Sequence, residues 1–225
     1  MNEHEPQVER RRRRTSSTRT PPPRWPGNPE CVEASAVDFE AIAHMLANTC
    51  RWGGRTRRYI SLAQHALTAS EEIEALDGIA GEDRRALALH ALLADAGAAW
   101  LGDAEGEHPV SARAAARTRT HGARIDRAVL EAAGLDPEPP EEWAEVLRFV
   151  DRMTDAAERR DLGIGAGGFL FPPLRRTIRP LAPEAAAERW LARFHELHAG
   201  SDGAAGNGAA APADADASAG GELAS

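Results

Sequence analysis

Three polar residues stand where helix-forming segments should carry apolar side chains. His65 lies in SLAQHAL, Asp95 in LHALLADAGAAWLGD, and Asp151 in LRFVDRM, flanked by Phe149, Val150 and Met153. A charged group on an apolar helix face costs free energy unless it is paired or holds a metal. Taken singly, each is most simply a hydrogen-bonded core residue. Taken together, one imidazole and two carboxylates are ligand types for a hard or borderline divalent cation. Helical bundles build metal sites in this way, with side chains projecting inward from facing helices. Spacing alone leaves open whether the three meet.

The elements that must position them are helical throughout. VDFEAIAHMLAN opens with Asp38 as an N-cap. ISLAQHALTASEEIEAL has apolar positions at helical spacing. EDRRALALHALLADAGAAWL is apolar on most faces, which predicts one central, buried helix running through Asp95. SARAAARTRTHGARIDRAVLEAAG is amphipathic and stops at Gly134, a residue suited to ending a helix. PEEWAEVLRFVDRMTDAAERRDL starts with proline and acids, as a helix N-terminus should, and APEAAAERWLARFHELHAG closes the domain. No segment alternates with period two, so the expected fold class is all-α.

Composition sets the limits. Residues 1–33 read as a disordered arginine- and proline-rich arm, 34–200 as one helical domain, and 201–225 as a low-complexity tail rich in Ala, Gly and Asp. The net charge of −8 gives no global pull toward nucleic acid or a membrane surface. All 27 basic residues are arginine, a bias of the whole sequence and no signal for a site. The run Arg10–Arg14 could touch phosphates, but without interleaved aromatic groups it reads more simply as a solvated arm. No apolar stretch follows it, which argues against an export signal. No run approaches the ~18 apolar residues of a membrane helix, so a cytoplasmic location is expected. Cys31 and Cys50 form neither a disulfide framework nor a zinc motif.

The ordered blocks CRWGGRTRRYISLAQHALTAS, ALALHALLADAGAAWLGD, VDRMTDAAERRDL and IRPLAPEAAAERWLARFHEL resemble HD-domain metal-dependent phosphohydrolases. The likeness is nearest to the bacterial branch that includes the five-prime deoxynucleotidases, and it runs from about Val37 to His198. It implies an HD-type helical bundle. It also implies one divalent metal (Mn, Co, Zn or Mg) held by a His, an adjacent His-Asp pair and a distant Asp. His65 matches the first ligand, Asp95 the second half of the pair, and Asp151 the last, with Glu158, Arg160 and Asp161 following at the usual offsets. Arg51 matches an arginine that the resemblance assigns to the substrate phosphate, and Asp103 a further acidic residue of the motif, placed for proton transfer.

Two positions depart from the pattern. Ala94 stands where the family has the His of the pair, and Ala98 where it has a glutamate implicated in water activation. Outer-shell losses alone cost ~10–100-fold in metal affinity, so a missing ligand should cost at least that much. A missing acid/base group removes a further ~10²–10⁴ in rate. His90, one turn before Ala94 and about 6 Å away by helix rise, is the residue that could substitute as ligand. The expected function is therefore a phosphohydrolase-like protein acting on or binding a nucleotide-like phosphate monoester through a degraded metal site. The alternative is an inactive nucleotide-binding or regulatory protein that keeps the fold. No membrane or nucleic-acid partner is expected, and a homodimer is admitted.

Overall fold

The computed structural model describes residues 28, 30–102, 112–164 and 170–199, the side chains of 112–119 excepted. The fold is all-α, and no strand occurs among the described residues. Among the described residues seven α-helices follow in order: α1 Phe39–Asn48, α2 Leu62–Glu74, α3 Gly81–Leu93, α4 Ala98–Leu101, α5 Ala112–Ala132, α6 Glu141–Leu162 and α7 Pro183–His198. No described helix is long and apolar enough to cross a membrane.

Local chemistry accounts for the boundaries. The Asp38 carboxylate accepts from the backbone N–H groups of Glu40 and Ala41, at 3.0 and 3.1 Å, and so starts α1. The Ser61 hydroxyl does the same for α2, accepting from the Gln64 N–H at 3.2 Å. α6 begins behind Pro140 with Glu141 and Glu142 in its first turn, and stops at Gly163, whose φ of 74° is a left-handed cap that a side chain would strain. α7 starts with Pro183 at its first position.

α2 is the hub. It packs against α1, α3, α6 and α7, and almost every side chain from Leu62 to Ser70 is buried. Its core partners include Ile42, Leu46, Leu89, Leu92 and Trp190. A polar side chain on α2 is therefore held by neighbours on several sides, which is what a site needs from its scaffold.

One expectation needs correction. The central helix does not run through Asp95. α3 stops at Leu93, residues 94–97 form a turn, and the single turn of α4 follows. Gly97 explains the break. Its N–H donates to the half-buried Asp126 carboxylate at 3.1 Å, and a Cβ added there would lie 2.6 Å from the same oxygen. Only a glycine admits that approach, and glycine also weakens a helix. Within the turn, Ala96 N–H bonds to Leu93 O and Ala98 N–H to Asp95 O, both at 3.0 Å.

Candidate metal centre

The site is built around the His65 ring, which is nearly fully buried. Its Nδ1 donates to the Glu158 carboxylate at 2.8 Å. Its Nε2 lies 3.1 Å from Asp151 Oδ1 and 3.7 Å from Asp95 Oδ2. The three residues singled out in the sequence thus converge on one nitrogen, although they come from α2, the 94–97 turn and α6.

The two edges of the ring face different surroundings. Glu158 is 0% exposed, accepts hydrogen bonds from His65 and from the Trp52 indole N–H at 2.8 Å, and forms an ion pair with Arg51, whose Nε lies 3.5 Å away. Arg51 also gives Nη2 to Asp155 Oδ1 at 2.6 Å. On the other edge the Asp95 and Asp151 side chains are 35% and 41% exposed. The buried edge is an internally paired anchor, and the open edge is reachable from solvent.

Arg51 and Trp52 owe their place to a pinched loop. Cys50 pairs with Ser61 in an isolated antiparallel bridge, and Arg51 N–H bonds to Ile60 O at 2.9 Å. The 3-10 turn Arg51–Gly54 between them carries Trp52 at a φ of 60°, unusual for a bulky residue. The indole is held there by its bond to Glu158 and by the Arg51 and Arg159 guanidiniums, 5.0 and 4.5 Å from the ring centroid.

Charge follows this geometry. Burial opposes a positive imidazole and is the largest influence on His65. The Glu158 charge and the hydrogen bonds to Asp151 and Glu158 together outweigh both burial and the opposing Arg51, and push the pKa up to about 10. Burial likewise works against the carboxylates of Asp151 and Glu158, but hydrogen bonding and charge from His65, with Arg51 behind, hold both below the usual carboxylate range. Asp155 goes the other way. Its burial, with Asp151 and Glu158 nearby, lifts it to about 6 despite Arg51 and His65. Four carboxylates thus face two guanidiniums, Arg51 and the half-exposed Arg152, which reaches Asp155 at 3.4 Å.

A metal ion fits this donor set. His65, Asp155 and Glu158 offer ligand atoms within 4.8 Å of one another, close enough to hold one. The atoms of Asp155 and Glu158 are already engaged by Arg51, Trp52 and His65, whereas Nε2, Asp95 and Asp151 lie on the partly exposed side of the ring. An imidazole anchored through Nδ1–H to a carboxylate, with Nε2 facing outward, is the usual setting of a metal-ligating histidine.

The remaining expected residues lie as follows. Ala94 is exposed at the end of α3, while Ala98 is half-buried at the start of α4. His90 is buried on α3 against Trp143, ring centroids 6.1 Å apart, and burial lowers its pKa. Its one charged influence is Asp136, so the structure gives it a packing role away from His65. Arg51, expected at a substrate phosphate, is 3% exposed and spent on Asp155 and Glu158. Asp103 lies outside the described residues. Two groups went unnoticed in the sequence. Asp155 shares a face with Asp151 and Glu158, at i, i+4 and i+7 of α6, a stripe of acids that was there to be read. Asp126 is raised to about 7, chiefly by burial and further by Asp95, against the bond from Gly97.

Comparison with known proteins adds no chemistry. No family model matches the chain. It is similar to a protein described as "Uncharacterized protein YfdR" from Escherichia coli (strain K12), 29% identical over 163 residues, which span 69% of this chain and 82% of that relative.

Proposed function

We propose that the chain is an HD-type phosphohydrolase-like protein that acts on or binds a nucleotide-like phosphate monoester, with a divalent cation held by His65, Asp95 and Asp151. The observation that carries this reading is the convergence of Asp151 at 3.1 Å and Asp95 at 3.7 Å on His65 Nε2, while Nδ1 is fixed by Glu158. A divalent ion held there supplies Lewis acidity toward a phosphoryl oxygen and the attacking water. The protein's part is positional. Glu158 fixes the ring and its tautomer, and Arg51 with Trp52 keeps Glu158 ionised and immobile. Asp151 and Asp95 leave the open edge negative. Arg152, half exposed at this rim and paired with Asp155 at 3.4 Å, would meet a phosphate by exchanging that carboxylate for it.

The absence of a second histidine and a glutamate at Ala94 and Ala98 favours a second reading, in which the protein binds its ligand and turns it over poorly or not at all. Metal analysis of purified protein before and after dialysis against chelator separates the cases, followed by assays on nucleoside monophosphates with Mn, Co, Zn or Mg. Weak metal binding that disappears in His65→Asn and Asp151→Asn supports the centre. Unchanged metal binding in both variants would rule out this ligand set. Metal and nucleotide binding without phosphate release would select the binding-protein reading.

A further inference from the structure

A second cleft, of about 200 Å³, opens along a different stripe of α2. Gln64, Leu67, Thr68 and Glu71, at i, i+3, i+4 and i+7, form one wall, and residues 176–181 with Arg189 of α7 form the other. His65 does not line it. Leu67, Ile178 and Leu181 give it an apolar floor, and Arg176, Arg179 and Arg189 give it three guanidiniums.

These guanidiniums are not equivalent. Arg176 is spent, since Nη1 pairs with Glu71 and Nη2 donates to Thr68 O. Glu71 is the one carboxylate lining the cleft, so its charge is already matched. Arg179 and Arg189 are exposed, and neither guanidinium has a hydrogen-bond or ion-pair partner among the described residues. The cleft therefore carries two uncompensated planar cations on a protein whose net charge is −8.

The walls are held before any ligand arrives. The buried Gln64 amide donates to Arg179 O and accepts from Leu181 N–H, both at 2.8 Å. Asp161 takes the Ile178 N–H at 2.7 Å, and Arg160 donates to Leu174 O at 2.7 Å and Arg176 O at 2.8 Å. The segment carrying Arg179 is thus clamped from both α2 and α6, so little backbone freedom is lost on binding. Guanidinium pairs match phosphate oxygens in a planar, two-point fashion. Leu67, Ile178 and Leu181 would cover a small apolar body attached to such a group. We propose that this cleft is a second ligand site, distinct from the His65 centre, for a small organic phosphate or phosphonate gripped by Arg179 and Arg189.

The test is calorimetric titration of the full chain, in chelator and at fixed ionic strength, with phenylphosphonate and with inorganic phosphate. Phenylphosphonate should bind several-fold tighter than phosphate. The double variant Arg179→Gln/Arg189→Gln should lose at least tenfold in affinity for both. Asp151→Asn should leave both affinities unchanged, and so should Arg175→Gln, an exposed arginine outside the cleft. All four changed residues are at least partly exposed, and matching circular dichroism and melting curves confirm that the variants fold. Equal affinity in parent and double variant would overturn the proposal. So would an equal loss in Arg175→Gln, which reduces the effect to general charge, or a loss confined to Asp151→Asn, which moves the anion to the His65 centre.

Discussion

The two edges of the His65 ring differ in how completely they are built. On the Nδ1 edge, Glu158 is fully buried and receives His65, Trp52 and Arg51, and Asp155 receives Arg51 in turn. On the Nε2 edge, Asp95 sits on a four-residue turn beside an exposed Ala94, and Asp151 is the other carboxylate within 4 Å among the described residues. The supporting side is complete, and the side that would meet ligand is sparse. This is an informative asymmetry. Removing one member of a buried charged network leaves the others unpaired and destabilises the fold, so such a network resists piecemeal loss. A solvent-facing carboxylate can be lost without that penalty.

The sharpest test of this contrast is stability. Glu158→Ala leaves Arg51, the His65 imidazolium and the Trp52 N–H without their common acceptor, and should cost about 3–5 kcal/mol. Asp95→Asn on the open edge should stay within about 1 kcal/mol. Urea denaturation of the metal-free proteins measures both. Comparable costs would mean that the two edges are not built differently.

pH offers the next contrast. His65 is raised from 6.5 to about 10 in the folded state, so its contribution to stability is full below pH 6.5 and is lost as pH rises through 10. Metal-free protein should lose a few kcal/mol of stability across that window, and a His65→Gln variant should show a flatter profile. A cation must displace the Nε2 proton, so Mn(II) affinity should climb with pH over the same range. A flat affinity profile would place the cation elsewhere.

Asp126, beneath the turn that carries Asp95, has the opposite charge and a smaller effect. Its pKa rises from 3.8 to about 7, so the folded state favours the protonated acid. Stability linked to Asp126 is therefore greatest at low pH and declines as pH rises from about 4 to about 7. Asp126→Asn keeps an acceptor for the Gly97 N–H and removes the charge. It should gain about 1–3 kcal/mol at pH 8 relative to the parent, and little at pH 4. Melting curves at the two pH values decide. A gain of the same size at both would deny that the carboxylate charge is what strains the turn.

Much of this was legible in the sequence. Helix starts at Asp38 and Pro140 follow from local chemistry at the N-terminus. The convergence of His65, Asp95 and Asp151 was foreshadowed by their residue types on apolar faces. The break at Ala94 was not, because its cause is the approach of Asp126, 29 residues away in sequence, to Gly97. Hydrophobic periodicity carries no trace of such a contact. The fate of Arg51 was hidden for a similar reason. An arginine in CRWGG looks the same whether it faces a ligand or Asp155, more than 100 residues downstream. His90 was offered only as a possible substitute ligand, on helical spacing from Ala94, and its ring packs edge-on against Trp143 of another helix, centroids 6.1 Å apart.

The smallest expected effect repairs the sparse edge and leaves the anchored one alone. Ala94 is exposed and ends α3, so a histidine there meets no packed neighbour to displace, and its helix-propensity cost stays below about 1 kcal/mol. If the 94–97 turn presents residue 94 to the same space as Asp95, Ala94→His adds a second imidazole to the Nε2 side. Mn(II) or Zn(II) affinity should then rise at least ~10-fold, the lower end of what a ligand-shell contribution is worth. Ala98→Glu alone should leave metal affinity near the parent value. Combined with Ala94→His, it should raise phosphate release from nucleoside monophosphates above either single variant, because an acid/base group has little to act on where the cation is not held. Isothermal titration and a phosphate-release assay read the two effects separately. Suppose that Ala94→His folds, melts like the parent and binds metal no better. The turn then points residue 94 away from His65, the open edge has drifted in backbone as well as in side chains, and the ligand-binding reading without turnover becomes the better account of the molecule.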